Sequence, residues 1–143
     1  MILVDANILL YAYDSESPHH EGSRVWLERT LNGEDDVRFA LTTILAFLRI
    51  STDPRIHASP LTSTEAVSIV EGLLGLANVS IANPSGRHWH SLRGLAAEAG
   101  ARGPLMMDAH LATLAIEHGA RLATNDRDFR RFQGVKLVDP TAG

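Results

Sequence analysis

Four aspartates have the type and placement for chemistry on a phosphate: Asp5, Asp108, Asp126 and Asp128. Asp5 directly follows the apolar run Ile2-Leu3-Val4, Asp126 and Asp128 follow the apolar segment Ala120 to Thr124, and Asp108 opens the helical segment before it. Carboxylates drawn together repel one another and raise each other's pKa unless a cation neutralises them. The chain has no cysteine, and none of its histidines forms the i, i+4 pair of a helical metal site. An oxygen-only donor set suits Mg²⁺ or Mn²⁺ rather than zinc. A hard cation held in this way activates water and stabilises charge on a phosphoryl group.

Each acid also has a plainer reading. Asp108 stands before an apolar helical stretch, and by spacing alone the N-cap reading is preferred, although Leu111 occupies the place where a capping box wants Glu or Gln. Asp126 or Asp128 caps the turn through Phe129 and Phe132, and for Asp128 the capping reading is preferred. Asp5, followed by Asn7 and an apolar segment, is a turn-former or a site residue in equal measure.

The elements that must position these acids follow from periodicity. Ile2 to Val4, Arg38 to Leu41, Val79 to Ala82, Ala120 to Thr124 and Val135 to Val138 read as short strands. Between them, helical segments are expected from Ile8 to Tyr13, Pro18 to about Leu31 and Thr43 to Thr52. Others follow Thr62-Ser63-Thr64-Glu65, a capping-box pattern, and run through Trp89 to Ala99 and from near Met107 to Gly119. Ser17-Pro18 places a capping residue before a proline at a helix start. Trp26 and Trp89 fall at amphipathic positions and are expected in the core. Strands separated by helical segments imply parallel pairing through crossovers, hence an α/β fold with a central parallel β-sheet of four to five strands flanked by helices. Functional groups in such sheets gather outside the carboxyl ends of the strands, where these acids lie.

The length of 143 residues suits one domain spanning 1–143 with a real core. No apolar run approaches the roughly 20 residues of a membrane span, and the N-terminus lacks the pattern of a signal peptide. The absence of cysteine fits a reducing cytoplasm, where the chain is expected. A net charge of −4 argues against bulk electrostatic coating of nucleic acid, but not against an enzyme that touches a few phosphates. Twelve of the 13 basic residues are arginine and Lys136 is the only lysine, a bias that by itself carries no functional argument. Most of the seven histidines are assigned surface or packing roles.

Together the segments resemble a known family. Val4-Asp5-Ala6-Asn7-Ile8-Leu9-Leu10 resembles the opening motif of PIN-domain nucleases. Met107-Asp108-Ala109-His110-Leu111-Ala112-Thr113-Leu114-Ala115 is similar to the helix carrying the family's third acid, and Leu122-Ala123-Thr124-Asn125-Asp126-Arg127-Asp128-Phe129 to its closing motif. Phe47-Leu48-Arg49-Ile50-Ser51-Thr52-Asp53-Pro54-Arg55 resembles the central segment of VapC toxins. The resemblance implies a PIN-domain fold, with Asp5 and Asp108 as principal metal ligands and Asp126 acting directly or through water. It further implies that Thr124 supports the site by hydrogen bonding, Asn7 orients Asp5, and Asp128 is accessory. Many relatives carry Glu where this chain has Ala46, which removes one carboxylate of a four-acid set.

The resemblance implies a metal-dependent endoribonuclease, the toxin of a type II toxin–antitoxin system, acting as a homodimer blocked by a cognate VapB-type antitoxin. Two other readings stand beside it. With Ala46 in the acidic slot, the domain binds metal weakly and serves as an RNA or protein interaction module. A phosphoacceptor or phosphatase domain also places Asp after its first strand, but would want a lysine at a strand end, and only Lys136 is available.

Overall fold

The computed structural model describes residues 1–142. Five strands, β1 (Ile2–Val4), β2 (Val37–Ala40), β3 (Val79–Ala82), β4 (Arg121–Ala123) and β5 (Lys136–Val138), form one sheet in the order β3-β2-β1-β4-β5. Every pair is parallel, with Ile2 opposite Val37 on one side and Arg121 on the other. The expected fold class is borne out, with five strands rather than four.

The central strand shows why. Ile2, Leu3 and Val4 are all buried, as a strand covered on both faces requires. Successive side chains point to opposite faces: Ile2 and Val4 join one core, with Phe39, Phe47 and Leu73, while Leu3 joins the other, with Ala112, Leu114 and Phe129. Helices α1 (Ala6–Ala12), α2 (His20–Leu31), α3 (Leu41–Ser51) and α4 (Ser63–Leu74) supply residues to the first core. Helices α5 (His88–Ala99) and α6 (Leu105–His118) supply the second. Ala109, Ala112 and Ala115 of α6 are fully buried, and these small side chains let the helix lie close on the sheet. Gly119, at φ 64°, ends α6 and turns the chain into β4.

The capping box is present: Thr62 Oγ1 accepts from the Glu65 N–H at 3.1 Å, and Glu65 Oε1 accepts from the Thr62 N–H at 2.9 Å. Three local expectations are corrected. Helix α2 starts at His20 rather than Pro18, because Ser17 Oγ accepts from the His19 N–H at 3.1 Å and folds a separate turn ahead of it. Helix α6 starts at Leu105, behind Pro104, so Asp108 sits in its first turn and is not its cap. Trp89 is 70% exposed on α5, whereas Trp26 packs partly buried against the first core. Among the described residues no helix is long and apolar enough to cross a membrane.

Candidate metal centre

The chain runs from β1 outward through β2 and β3, then returns to place β4 on the other side of β1. This reversal opens a crevice outside the carboxyl ends of β1 and β4, the favoured position for a site in a parallel sheet. Asp5 follows β1 and Thr124 follows β4, so sheet pairing alone brings them together: Thr124 Oγ1 donates to Asp5 Oδ2 at 2.8 Å. Asp5 also N-caps α1, its Oδ1 accepting from the Ala6 N–H at 2.7 Å. Asp5 is thus the turn-former, and it stands in the crevice.

The Thr124 hydroxyl is the hub of the crevice. Besides donating to Asp5, it accepts from the Asp126 N–H at 3.0 Å and from Asn7 Nδ2 at 3.4 Å, which uses its one donor and two acceptor positions. Asn7 therefore does not touch Asp5; it reaches Thr124, and its Oδ1 lies 3.5 Å from the Asn125 N–H. The orientation of Asp5 falls to Thr124. The cap expected at Asp128 belongs to Asp126, whose Oδ1 accepts from the Asp128 N–H at 2.9 Å and starts the 3-10 turn Arg127–Arg131.

Asp108, Asp126 and Asp128 converge: one carboxylate oxygen from each lies within 4.8 Å of the others. Asp5 stands outside that tightest group, yet its charge still acts on Asp108. Burial, and then the charges of Asp126, Asp5 and Asp128, push the Asp108 carboxyl from its ordinary 3.8 up to about 6. Among the described residues Asp108 accepts no hydrogen bond, so no hydrogen bond offsets that strain. Asp5 is raised by burial, and the bonds from Thr124 and Ala6 partly counter this. A cluster of carboxylate oxygens, two of its three members accepting no hydrogen bond among the described residues, fits a hard divalent cation. Asp108, Asp126 and Asp128 are placed to hold it, with Asp5 alongside. Ala46 lies on α3, partly exposed, and offers no ligand.

Some neighbours of the site gave no signal in the sequence. The Tyr11 hydroxyl donates to Asn125 Oδ1 at 3.2 Å, and Asn125 Nδ2 donates to Thr141 Oγ1 at 2.8 Å. The Tyr11 phenol is raised by burial and by the charges of Asp126, Asp5 and Asp139, which places it beside the acids. Farther along α6, Glu117 Oε1 lies 2.6 Å from His88 Nδ1, and His88 Nε2 lies 2.8 Å from His110 Nδ1. His110 thus faces His88, and this chain of contacts ties α5 to α6.

The parallel sheet and the acids at its switch point define an α/β domain with a candidate cation site at the carboxyl ends of its strands. The family model of the PIN domain matches residues 2–135. Ribonuclease VapC37 of Mycobacterium tuberculosis is 40% identical over 142 residues, covering 99% of both chains. Two solved structures share the fold at lower identity. One is VapBC2 from Rickettsia felis bound to a DNA fragment from its promoter, with TM-score 0.69, 18% identity and coverage of 97% of this chain and 98% of that one. The other is a toxin–antitoxin complex from Klebsiella pneumoniae, with TM-score 0.66, 19% identity and coverage of 98% of each. The chain belongs to the PIN-domain family, in its VapC ribonuclease branch.

Proposed function

We propose that this chain is a divalent-metal-dependent endoribonuclease, the toxin half of a toxin–antitoxin pair, with one domain spanning residues 1–143 carrying the activity. The observation that carries the metal reading is Asp108, unpartnered and raised to about 6 among three other aspartates. Asp5, Asp108 and Asp126 would hold Mg²⁺ or Mn²⁺, with Asp128 completing the set that Ala46 leaves short. The bound ion would supply an activated water and neutralise charge building on the phosphoryl oxygens.

The chain's own residues set up that site. Thr124 keeps Asp5 oriented and favours its ionised form, and the Asp128 N–H fixes the Asp126 carboxylate. Asn7 braces Thr124 from α1. Tyr11 and Asn125 hold the rim beside the acids. The ribonuclease relative supports RNA as substrate, and the toxin–antitoxin complex supports a small antitoxin as partner. Leu41 and Leu45, one turn apart on α3 and each more than half exposed, support a protein partner, whether antitoxin or a second copy in a homodimer. The cytoplasm is the compartment in which an RNA-cleaving, cysteine-free chain would act.

The test is substitution of the acids. Asp5→Asn and Asp108→Asn should each lose nearly all Mg²⁺-dependent cleavage of RNA while keeping a cooperative melt, since the swap conserves size and removes charge. Cleavage at the wild-type rate in both folded variants would refute the assignment. Growth arrest on expression, relieved by the product of a neighbouring small gene, tests the toxin reading separately.

A further inference from the structure

The turn that follows Asp126 carries three arginines, none with a carboxylate partner among the described residues, and two of them share an edge. In a 3-10 turn side chains three residues apart eclipse. With Phe129 fully buried, Arg127 and Arg130 share one outward edge of the turn Arg127–Arg131, and Asp128 and Arg131 share the next. Among the described residues neither Arg127 nor Arg130 has a carboxylate oxygen within 4 Å. Both line a cleft of about 160 Å³ at the ends of β4 and β5, alongside Asn125, Asp126 and Asp139. The carboxylates of that cleft are partly engaged: Asp139 Oδ1 accepts from the Thr141 N–H at 2.8 Å and its hydroxyl at 2.7 Å, and Asp126 Oδ1 from the Asp128 N–H. Two like charges on one edge are unfavourable unless an anion lies between them.

We propose that this cleft is a subsite for the RNA phosphodiester next to the scissile one, gripped by the guanidinium forks of Arg127 and Arg130. The inference rests on the nuclease reading above. An acid-lined centre repels a polyanion, and a pair of cations one to four residues from Asp126 anchors the strand beside the reacting bond. Contacts to phosphate fix register without reading sequence. The subsite therefore sets how much strand the enzyme needs, not which bases it selects. Arginine suits the task because its planar fork matches two phosphate oxygens at once.

Binding is measured first, without turnover. A labelled single-stranded oligouridylate is titrated with the full chain in chelator, at several salt concentrations, by fluorescence anisotropy. Arg127→Gln with Arg130→Gln should weaken binding roughly tenfold and flatten the log–log salt slope by about 0.7 per arginine, as expected for lost phosphate contacts on a single strand. Melting curves establish that the exposed substitutions leave the fold intact, and Arg→Lys at both positions should recover most of the slope but not all of the affinity. With Mg²⁺, KM for the oligomer should rise while kcat changes little, and hydrolysis of a dinucleotide, which has only the scissile phosphate, should be far less affected. Unchanged affinity and slope in the glutamine variant would overturn the subsite. Absence of cleavage by the wild type would instead count against the nuclease reading, leaving the binding measurement to judge the subsite on its own.

Discussion

Replacing Asp108 with asparagine should make the metal-free protein more stable at neutral pH, not less. The Asp108 carboxyl is raised from 3.8 to about 6, first by burial and then by its acidic neighbours. An acid whose folded pKa exceeds its unfolded one binds its proton more tightly in the native state. Between about pH 4 and 6 the native state therefore holds more protons than the unfolded chain, and stability falls as pH rises through that window and stays lower above it. A gap of about two pKa units at ~1.36 kcal/mol each sets a ceiling near 3 kcal/mol. Asp108 is only half-buried, so solvent screening trims that figure. Its place in the first turn of α6 also lets the helix dipole favour the charge by roughly 0.3–1 kcal/mol. A cost of ~1–2 kcal/mol remains after both corrections. For 143 residues, at about 2.1 cal/mol/K of unfolding entropy each, that is a Tm difference of roughly 3–7 °C. The substitution sacrifices no hydrogen bond, because Asp108 accepts none among the described residues. Calorimetric melts of wild type and Asp108→Asn in chelator, from pH 4 to 8, give the difference directly: near zero at the acid end, with the variant higher by several degrees at pH 7. Adding Mg²⁺ should raise the wild type more than the variant, since a ligand that prefers the folded state stabilises it. A variant less stable than wild type at pH 7 in chelator would show that Asp108 is not under electrostatic strain, and the reasoning would fail.

Three further outcomes are expected. Thr124→Val removes the donor to Asp5 and the acceptor for the Asp126 N–H; metal affinity by calorimetric titration should weaken about tenfold, with Thr124→Ser restoring most of it. Ala46→Glu would add a carboxylate to α3, and if that face meets the acids it should lower Tm without metal and tighten metal binding by ~1 kcal/mol; an unchanged metal response would place position 46 away from the centre. Burial opposes the Glu117 charge, but the Ser85 N–H and His88 outweigh it and hold its carboxyl below 4.5. Its stabilising contribution is full above that ordinary pKa and is lost as pH falls through the lowered one. Glu117→Ala should cost ~1–3 kcal/mol at pH 7 by leaving those donors unpaired, and denaturant titration at pH 7 and pH 4 should show the deficit shrinking with acid.

The sheet was legible because its strands are buried on both faces and so read as unbroken apolar runs such as Ile2-Leu3-Val4. Asp5 and Asp126 were legible because each stands just past such a run, whereas Asp108 was legible only as the acid opening the helical segment before β4. Helix starts were less so: Ser17-Pro18 has the chemistry of a cap, but the Ser17 side chain is spent on a tight turn two residues too early. Trp89 shows the limit of periodicity, which finds a stripe but cannot say whether anything covers it. The Tyr11–Asn125 and Glu117–His88–His110 contacts join residues far apart in sequence, and no local pattern carries such pairings. Asp128, read mainly as a cap, joins the acidic cluster because Asp126 takes the capping role and frees it.

The position of β1 between β2 and β4 has a consequence for how the protein comes into being. Asp5 is synthesised 119 residues ahead of Thr124, the group that holds it. Pairing across so long a separation carries a large loop-closure cost and is slow relative to local helix formation. The first half of the chain can gather β1, β2 and β3 with their helices, yet the crevice has only one wall until β4 docks. A nascent or truncated chain ending before Arg121 would therefore hold a single acid from the strand ends and no centre. If the nuclease reading holds, activity waits until β4 has been made and has docked beside β1, which leaves an interval in which an inhibitor translated alongside can already be waiting.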